Sequence, residues 1–251
     1  MLNSVDVRSE QVIFNGMEPL FTIALAMLCA FAFFTLIVLI RTIFRYNHSI
    51  YKELTRKSFW QTHKDDGAWG EYLLLKKLES IDGLKRFLVN TYIPKANGDT
   101  TEIDVLMIHE KGIFVFESKN YSGAIYGTES DRNWTQFAGR KYSFYNPIKQ
   151  NETHIKAMQA IIPQVPEQYY HSIIVFSERC KLEKIKLTSP NIPVLKRNDV
   201  TWSLKKILSK TPVIFNTQQI IVLAGHLATF SNASEEIKKK HVATINKKYR
   251  K

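Results

Sequence analysis

TEIDVLMIHEKGIFVFESK, residues 101–119, is the stretch on which the reading of this chain turns. It predicts two strands joined by a tight turn. Both are apolar on both faces, as strands covered by helices on either side are. Into that background are set Glu102, Asp104, Glu117 and Lys119. Charged residues are almost never fully buried unless paired or bound to a metal. Two strand carboxylates, with a lysine two residues after the second, form a pattern able to hold a divalent cation and act on a phosphate.

Register decides whether they meet. If Ile108 pairs with Ile113 across a loop of residues 109–112, opposed residue numbers sum to 221. Asp104 then faces Glu117 and Glu102 faces Lys119, with Cβ atoms about 4.5–5.5 Å apart. Carboxylates that close repel unless a proton or cation lies between them. A hard cation, Mg²⁺ or Mn²⁺, suits such oxygen ligands and would lower the pKa of an attacking water. Lys119 would orient that water or neutralise charge on the phosphate oxygens. A loop of residues 110–112 instead shifts the register by one and sends Asp104 and Glu117 to opposite faces. The competing reading is a set of cross-strand ion pairs at the exposed end of the sheet, Glu102–Lys119 among them. The residues alone leave both open.

Working outward, Asp65 or Asp66 is placed to cap a helix through residues 67–81. There Trp69, Leu73, Leu74, Leu78 and Ile81 recur at helical spacing. Gly67 and Gly70 point to close packing at its start. Glu71 beside them reads, from position, as a partner of the helix dipole. Strands are expected at 87–92, between Gly123 and Gly127, and at 141–145, 171–177 and 191–195. Helices are expected at 148–162, 200–208 and 218–229, and Gln150, His154 and Ala157 share a face of the first. This order predicts a mixed α/β sheet with helices on its faces, in a domain of residues 65–231.

Leu20–Ile40 is uncharged over 21 residues, enough to cross about 30 Å of hydrocarbon as a helix. It lacks the polar stripe of a buried core helix, and it is too long and too far from the terminus for a signal peptide. Residues 1–19 carry Asp6, Glu10 and Glu18 against Arg8. In the basic juxtamembrane segment, residues 41–64, Arg41, Arg45, Lys52, Arg56 and Lys57 follow against Glu53. The positive-inside rule places residues 1–19 outside and the rest in the cytoplasm, at the cell (inner) membrane. Lysines and arginines number 35 against 23 acids, which implies a polyanionic partner. Part of that charge serves topology and contact with anionic lipid. Cys29 and Cys180 alone exclude a disulfide framework or a four-cysteine zinc ribbon. The basic tail, residues 232–251, reads as a frayed helix or solvated segment, with phosphate or lipid contact as the sharper possibility.

One ordered series remains. It runs Gly67-Ala-Trp-Gly70-Glu71, then Glu102-Ile-Asp104, then Gly112-Ile-Phe-Val-Phe-Glu117-Ser-Lys119-Asn120. Gly123-Ala-Ile-Tyr-Gly127 with Trp134 follows, and then Asn146-Pro147-Ile-Lys-Gln150 with His154. From Gly67 to Met158 the chain resembles the nuclease-related domain (NERD), a bacterial branch similar to the PD-(D/E)xK superfamily. The resemblance implies a restriction-endonuclease-like mixed sheet flanked by helices, preceded here by one transmembrane helix. It implies Asp104 and Glu117 as metal ligands, with Glu71 as a further ligand or water-positioning acid and the Ser118 carbonyl as another donor. Lys119 would be the catalytic lysine, and Gln150 holds the helix position where such nucleases place a glutamine. Ile103 stands where the superfamily often has proline. The expected function is Mg²⁺- or Mn²⁺-dependent hydrolysis of phosphodiester bonds in DNA, or RNA, by a membrane-anchored protein facing the cytoplasm. The alternatives are an inactive nuclease-fold module binding nucleic acid or a protein partner at the membrane, and a lipid-binding surface protein.

Overall fold

The computed structural model describes residues 4–189, 192–231, 233, 236–237, 239–241 and 243, and for residues 4–19 the backbone alone. The chain divides into two units, residues 1–48 and 49–251. The first is a single helix, α1, Ser4–Asn47. Its stretch Leu20–Asn47 is the one helix among the described residues long and apolar enough to cross a membrane. Within it the hydroxyls of Thr35 and Thr42 donate to the carbonyls of Ala32 and Val38, so these two polar atoms are satisfied by the helix itself.

The second unit begins with three short helices: α2, Ile50–Thr55; α3, Phe59–Lys64; and α4, Asp66–Leu78. The basic juxtamembrane segment, residues 41–64, is broken by serine caps. Ser49 caps α2, Arg56 takes φ 57 beyond its end, and Ser58 with Gln61 forms a capping box on α3. Tyr51 and Phe59 are buried in the same unit as the domain proper. Asp65 caps α4, its carboxylate accepting from the N–H groups of Gly67 and Ala68.

Five strands form the central sheet in the order β1-β2-β3-β7-β9: β1, Lys85–Pro94; β2, Thr100–His109; β3, Gly112–Lys119; β7, Tyr170–Phe176; and β9, Val194–Lys196. β1–β3 are antiparallel, and β3, β7 and β9 run parallel. Ile108 opposes Ile113 and Val105 opposes Phe116, the register in which residue numbers sum to 221. The turn is tighter than expected, because His109 still pairs with Gly112. Ile103, Val105 to Ile108 and Ile113 to Phe116 are all fully buried, as central strands require.

Leu106, Ile108, Ile113 and Val115 pack against α5, Pro147–Ile161, and α7, Thr217–Ala228. By strand alternation the intervening side chains face α4, against which α6, Val200–Leu208, packs in turn.

A second sheet has the order β6-β5-β4-β8: β4, Gly123–Thr128; β5, Asn133–Ala138; β6, Arg140–Tyr145; and β8, Cys180–Lys186. Its inner face, with Ile125, Trp134 and Cys180, packs on Ile148 of α5 and on Ile174 and Phe176 of β7. Gly127 is required there. A Cβ at that position would lie 2.3 Å from the Trp134 ring. The fold is therefore mixed α/β with two mixed sheets flanked by helices, where the sequence had indicated one sheet.

Candidate active site

Two helices and the loosened end of the β2–β3 ladder build the site. The ladder is paired from His109–Gly112 to Val105–Phe116 and no further. Beyond Phe116, β3 is held by β7, opposite Ile174 to Phe176. Asp104 uses the freed edge: its Oδ2 accepts the Ser118 N–H at 2.8 Å. Parity places Asp104 with Leu106 and Ile108, and Glu117 and Lys119 with Ile113 and Val115. All three therefore project toward α5.

Asn146 caps α5, its Oδ1 accepting from Ile148 N while its Nδ2 donates to the carbonyls of Thr128, Glu129 and Asp131. Asn151 donates to the Val115 carbonyl and to Ser172, pinning α5 to β3 and β7. So anchored, α5 aims Gln150 and His154 at β3. Lys119 Nζ lies 2.5 Å from Glu117 Oε1 and donates to Gln150 Oε1 at 3.2 Å. His154 Nε2 is 3.0 Å from Glu117 Oε2, and its Nδ1 is 2.8 Å from Thr101 Oγ1. Glu117 and His154 are both buried. Above them opens a cleft of about 360 Å³ whose lining includes Asp104, Lys119, Gln150, Lys95 and the rings of Tyr121 and Phe144.

The electrostatics divide the carboxylates. Burial opposes the charge on Glu117, but the Lys119 ammonium and the His154 hydrogen bond outweigh it and hold the acid below its ordinary range. Burial also works against the Lys119 charge, and there Glu117 and then Asp104 prevail, raising its pKa. Asp104 is pushed well above the usual carboxylate range, by burial first and then by the charges of Glu117 and Glu71. Glu71 is raised to about 7, chiefly by burial, against the opposing pull of the Tyr51 hydroxyl, which donates to its Oε2 at 2.9 Å.

The five sequence-predicted residues are thus not equivalent. Asp104, Lys119 and Gln150 line one cleft over the buried Glu117, whereas Glu71 does not line it. Glu71 reaches the site through its charge on Asp104. Among the described residues no group of three His, Cys, Asp or Glu side chains stands close enough to hold a metal. The cross-strand Glu102–Lys119 pair does not form. Glu102 accepts instead from the Tyr92 hydroxyl at 2.6 Å, with His241 at 3.8 Å.

Over residues 66–177 the chain matches the nuclease-related domain (NERD). An uncharacterized protein of Bacillus anthracis is 35% identical to it over 187 residues, 74% of this chain and 86% of that protein. The chain belongs to the NERD family. No solved structure matches it.

Family membership gives the surrounding motif residues a structural meaning. In the NERD domain here, a Cβ on Gly70 would lie 2.7 Å from Asn120 Cβ, so the glycine lets the first turns of α4 approach the end of β3. Asn120 in turn donates to the Asp66 carbonyl and accepts from Arg197. The sequence reading placed His154 beside Gln150 without a role; the structure makes it the second partner of Glu117. Tyr51 was missed altogether, because its segment read as a basic stalk. Its one signal was an amphipathic residue amid the charges. The tail reading falls largely outside the described residues, but His241 is described: its ring packs edge-on against Tyr92 and lines the cleft.

Proposed function

We propose that this NERD protein is a membrane-anchored nuclease that hydrolyses phosphodiester bonds in DNA with Mg²⁺ or Mn²⁺. In this reading its catalytic unit faces the cytoplasm, as the basic flank after the apolar helix favours. The observation that carries the reading is the unequal pair Asp104 and Glu117. Two acids share one corner: Lys119 and His154 meet the charge of Glu117, whereas Asp104, with one backbone N–H, is pushed well above the usual carboxylate range.

The residues fit a hard cation in their donor chemistry. All are carboxylate oxygens, and Glu117 Oε1 accepts no aligned hydrogen bond although the Lys119 ammonium stands beside it. A cluster of three ligands is not needed, because Mg²⁺ is commonly held by one or two carboxylates, waters and substrate phosphate. Asp104 and Glu117 would hold it, with the Ser118 carbonyl as a further donor, and the charge of Glu71 raises the pKa of Asp104. When bound, the cation would supply charge neutralisation and an acidified water.

The chain's own groups do the rest. Lys119, charged and tethered by Gln150, stands at the cleft floor where negative charge develops on the phosphate. His154 and Thr101 fix the plane of the Glu117 carboxylate. Lys95 on the cleft wall offers charge to the incoming backbone.

The test is plasmid cleavage by the full chain in detergent with Mg²⁺ or Mn²⁺, beside Asp104→Ala and Lys119→Ala. Both variants are expected to lose at least 100-fold in rate, in line with removal of a charge-stabilising group. Cleavage that persists unchanged in both removes the proposed site. Salt-sensitive DNA binding without cleavage by wild type favours the binding-module alternative.

A further inference from the structure

The second sheet turns one face to the core and the other to solvent, and the solvent face has a composition of its own. Its outward positions carry Lys141, Lys181, Lys184 and Lys186, and the four strands hold Glu183 as their single acid. A bulge sorts them. Ile125 opposes Leu182 but Tyr126 opposes Lys184, so Glu183 is the extra residue in β8. In a regular strand Lys181 and Lys184, three apart, would point to opposite faces. The bulge reverses the parity. Leu182 and Ile185 both turn inward onto the core, and Lys181, Lys184 and Lys186 are all exposed.

Register then assembles rows across the sheet. Lys141 opposes Phe137, Phe137 opposes Ala124, and Ala124 opposes Lys181. In the next row lie Ser143, Thr135, Tyr126 and Lys184. Phe137 is 46% exposed, a large ring standing between two lysines with small neighbours beside it. From Lys141 to Lys181 is three strand spacings, about 14 Å. At about 3.4 Å per stacked nucleotide, that spans about four nucleotides.

We propose that this outward face binds single-stranded nucleic acid, with Phe137 as the stacking platform and Lys141, Lys181 and Lys184 contacting phosphates. Lysines answer the polyanion, and an exposed ring set among them accepts any base by its π-face, which a bilayer surface does not require. An open sheet carrying stacking aromatics is also a geometry that single strands use and duplexes do not. The inner side of the same sheet carries Phe144, which walls the catalytic cleft, so a strand held on the outside stays close to the site. The inference deepens the nuclease reading, since it names the form of substrate, but its test does not pass through catalysis.

The probe is a fluorescein-labelled 25-nucleotide oligo-dT, titrated with the full chain in neutral detergent and EDTA across a range of salt. Phe137→Ala is expected to weaken binding about fivefold or more at every salt concentration, without changing the salt slope. The triple variant Lys141→Ala/Lys181→Ala/Lys184→Ala is expected to weaken it at least tenfold at low salt and to flatten the log–log slope by about 2. Because EDTA suppresses metal-dependent cleavage, these binding readouts do not pass through the catalytic cleft residues. Failure of cleavage therefore leaves this proposal standing, and unchanged binding in the face variants sinks it even if cleavage succeeds. Equal binding of a duplex, insensitive to Phe137→Ala, overturns the single-strand assignment. The proposal also falls if Lys181 in nanodisc-embedded protein is shielded from amine labelling by phosphatidylglycerol but not by the oligonucleotide, since the face then belongs to the bilayer.

Discussion

Glu71 is an acid that the fold holds at a disadvantage, and replacing it by glutamine should show this as a change in stability. Its carboxyl ionises near 7 in the folded chain against 4.5 in the open chain, chiefly through burial. A raised acid binds more protons folded than unfolded between those values. Stability therefore falls as pH rises from about 4.5, and the loss is complete above about 7. Integrated over that window, the loss is about 3 kcal/mol. Glu71 is only part-buried by surface, so screening brings the expectation to about 2 kcal/mol. Glutamine keeps the oxygen that accepts from Tyr51 and carries no charge.

Melting of the full chain in neutral detergent with EDTA, followed by circular dichroism at pH 4 and pH 8, reads the difference. At pH 4 the two proteins are expected to melt together. At pH 8 Glu71→Gln is expected to melt about 4–8 °C higher, at 2–4 °C per kcal/mol for a domain of this size. A difference that is equal at both pH values, absent, or reversed at pH 8 refutes the assignment. Tyr51→Phe supplies the opposite perturbation. Losing the bond that favours the charged form should steepen the fall of stability between pH 4 and pH 8.

Other positions give simpler outcomes. His154→Ala leaves Glu117 Oε2 and the Thr101 hydroxyl without a buried partner and should destabilise by about 2–4 kcal/mol in urea unfolding, with His154→Gln recovering part. Gly127→Ala drives a methyl into the Trp134 ring and should cost about 1–3 kcal/mol, seen as a lower denaturant midpoint with unchanged m. Asn146→Ala removes the cap of α5 and strands three carbonyls, for about 3 kcal/mol of stability and a loss of cleavage as Gln150 and His154 lose their mount.

The core of the site was legible because a two-residue period has few solutions. Once Ile108 met Ile113, parity alone placed Asp104, Glu117 and Lys119 on one face, and burial of that face fixed the register. Glu71, Gln150 and His154 were visible as residues but not as geometry, since where a helix docks depends on contacts such as Asn151 with the Val115 carbonyl. β8 was missed for a specific reason. Its bulge sets Leu182 and Ile185 three apart, which breaks the alternation by which strands are recognised. β5 was obscured for another reason, because Gln136 holds an inward position opposite Ile125 while the Phe137 ring points outward.

Asp104 states the functional case in a form that stability can test. The protein answers the charge of Glu117 twice, through Lys119 and His154, and gives Asp104 one backbone N–H. The pKa of Asp104 is raised, so its folded-state disadvantage begins as pH climbs past 3.8 and persists at neutrality. A residue kept only to close the sheet would do better as asparagine, which still accepts from Ser118 N. Asp104→Asn is therefore expected to melt higher than wild type at pH 8 in EDTA, to lose that advantage at pH 3, and to lose cleavage at every pH. In wild type, Mg²⁺ should raise the melting temperature at pH 8 by answering the charge, and in Asp104→Asn it should not. A variant that melts lower at pH 8 and cleaves normally would place Asp104 among ordinary surface acids. The opposite pairing, gain in stability with loss of activity, is the signature of a charge held in place for a ligand the fold does not itself contain.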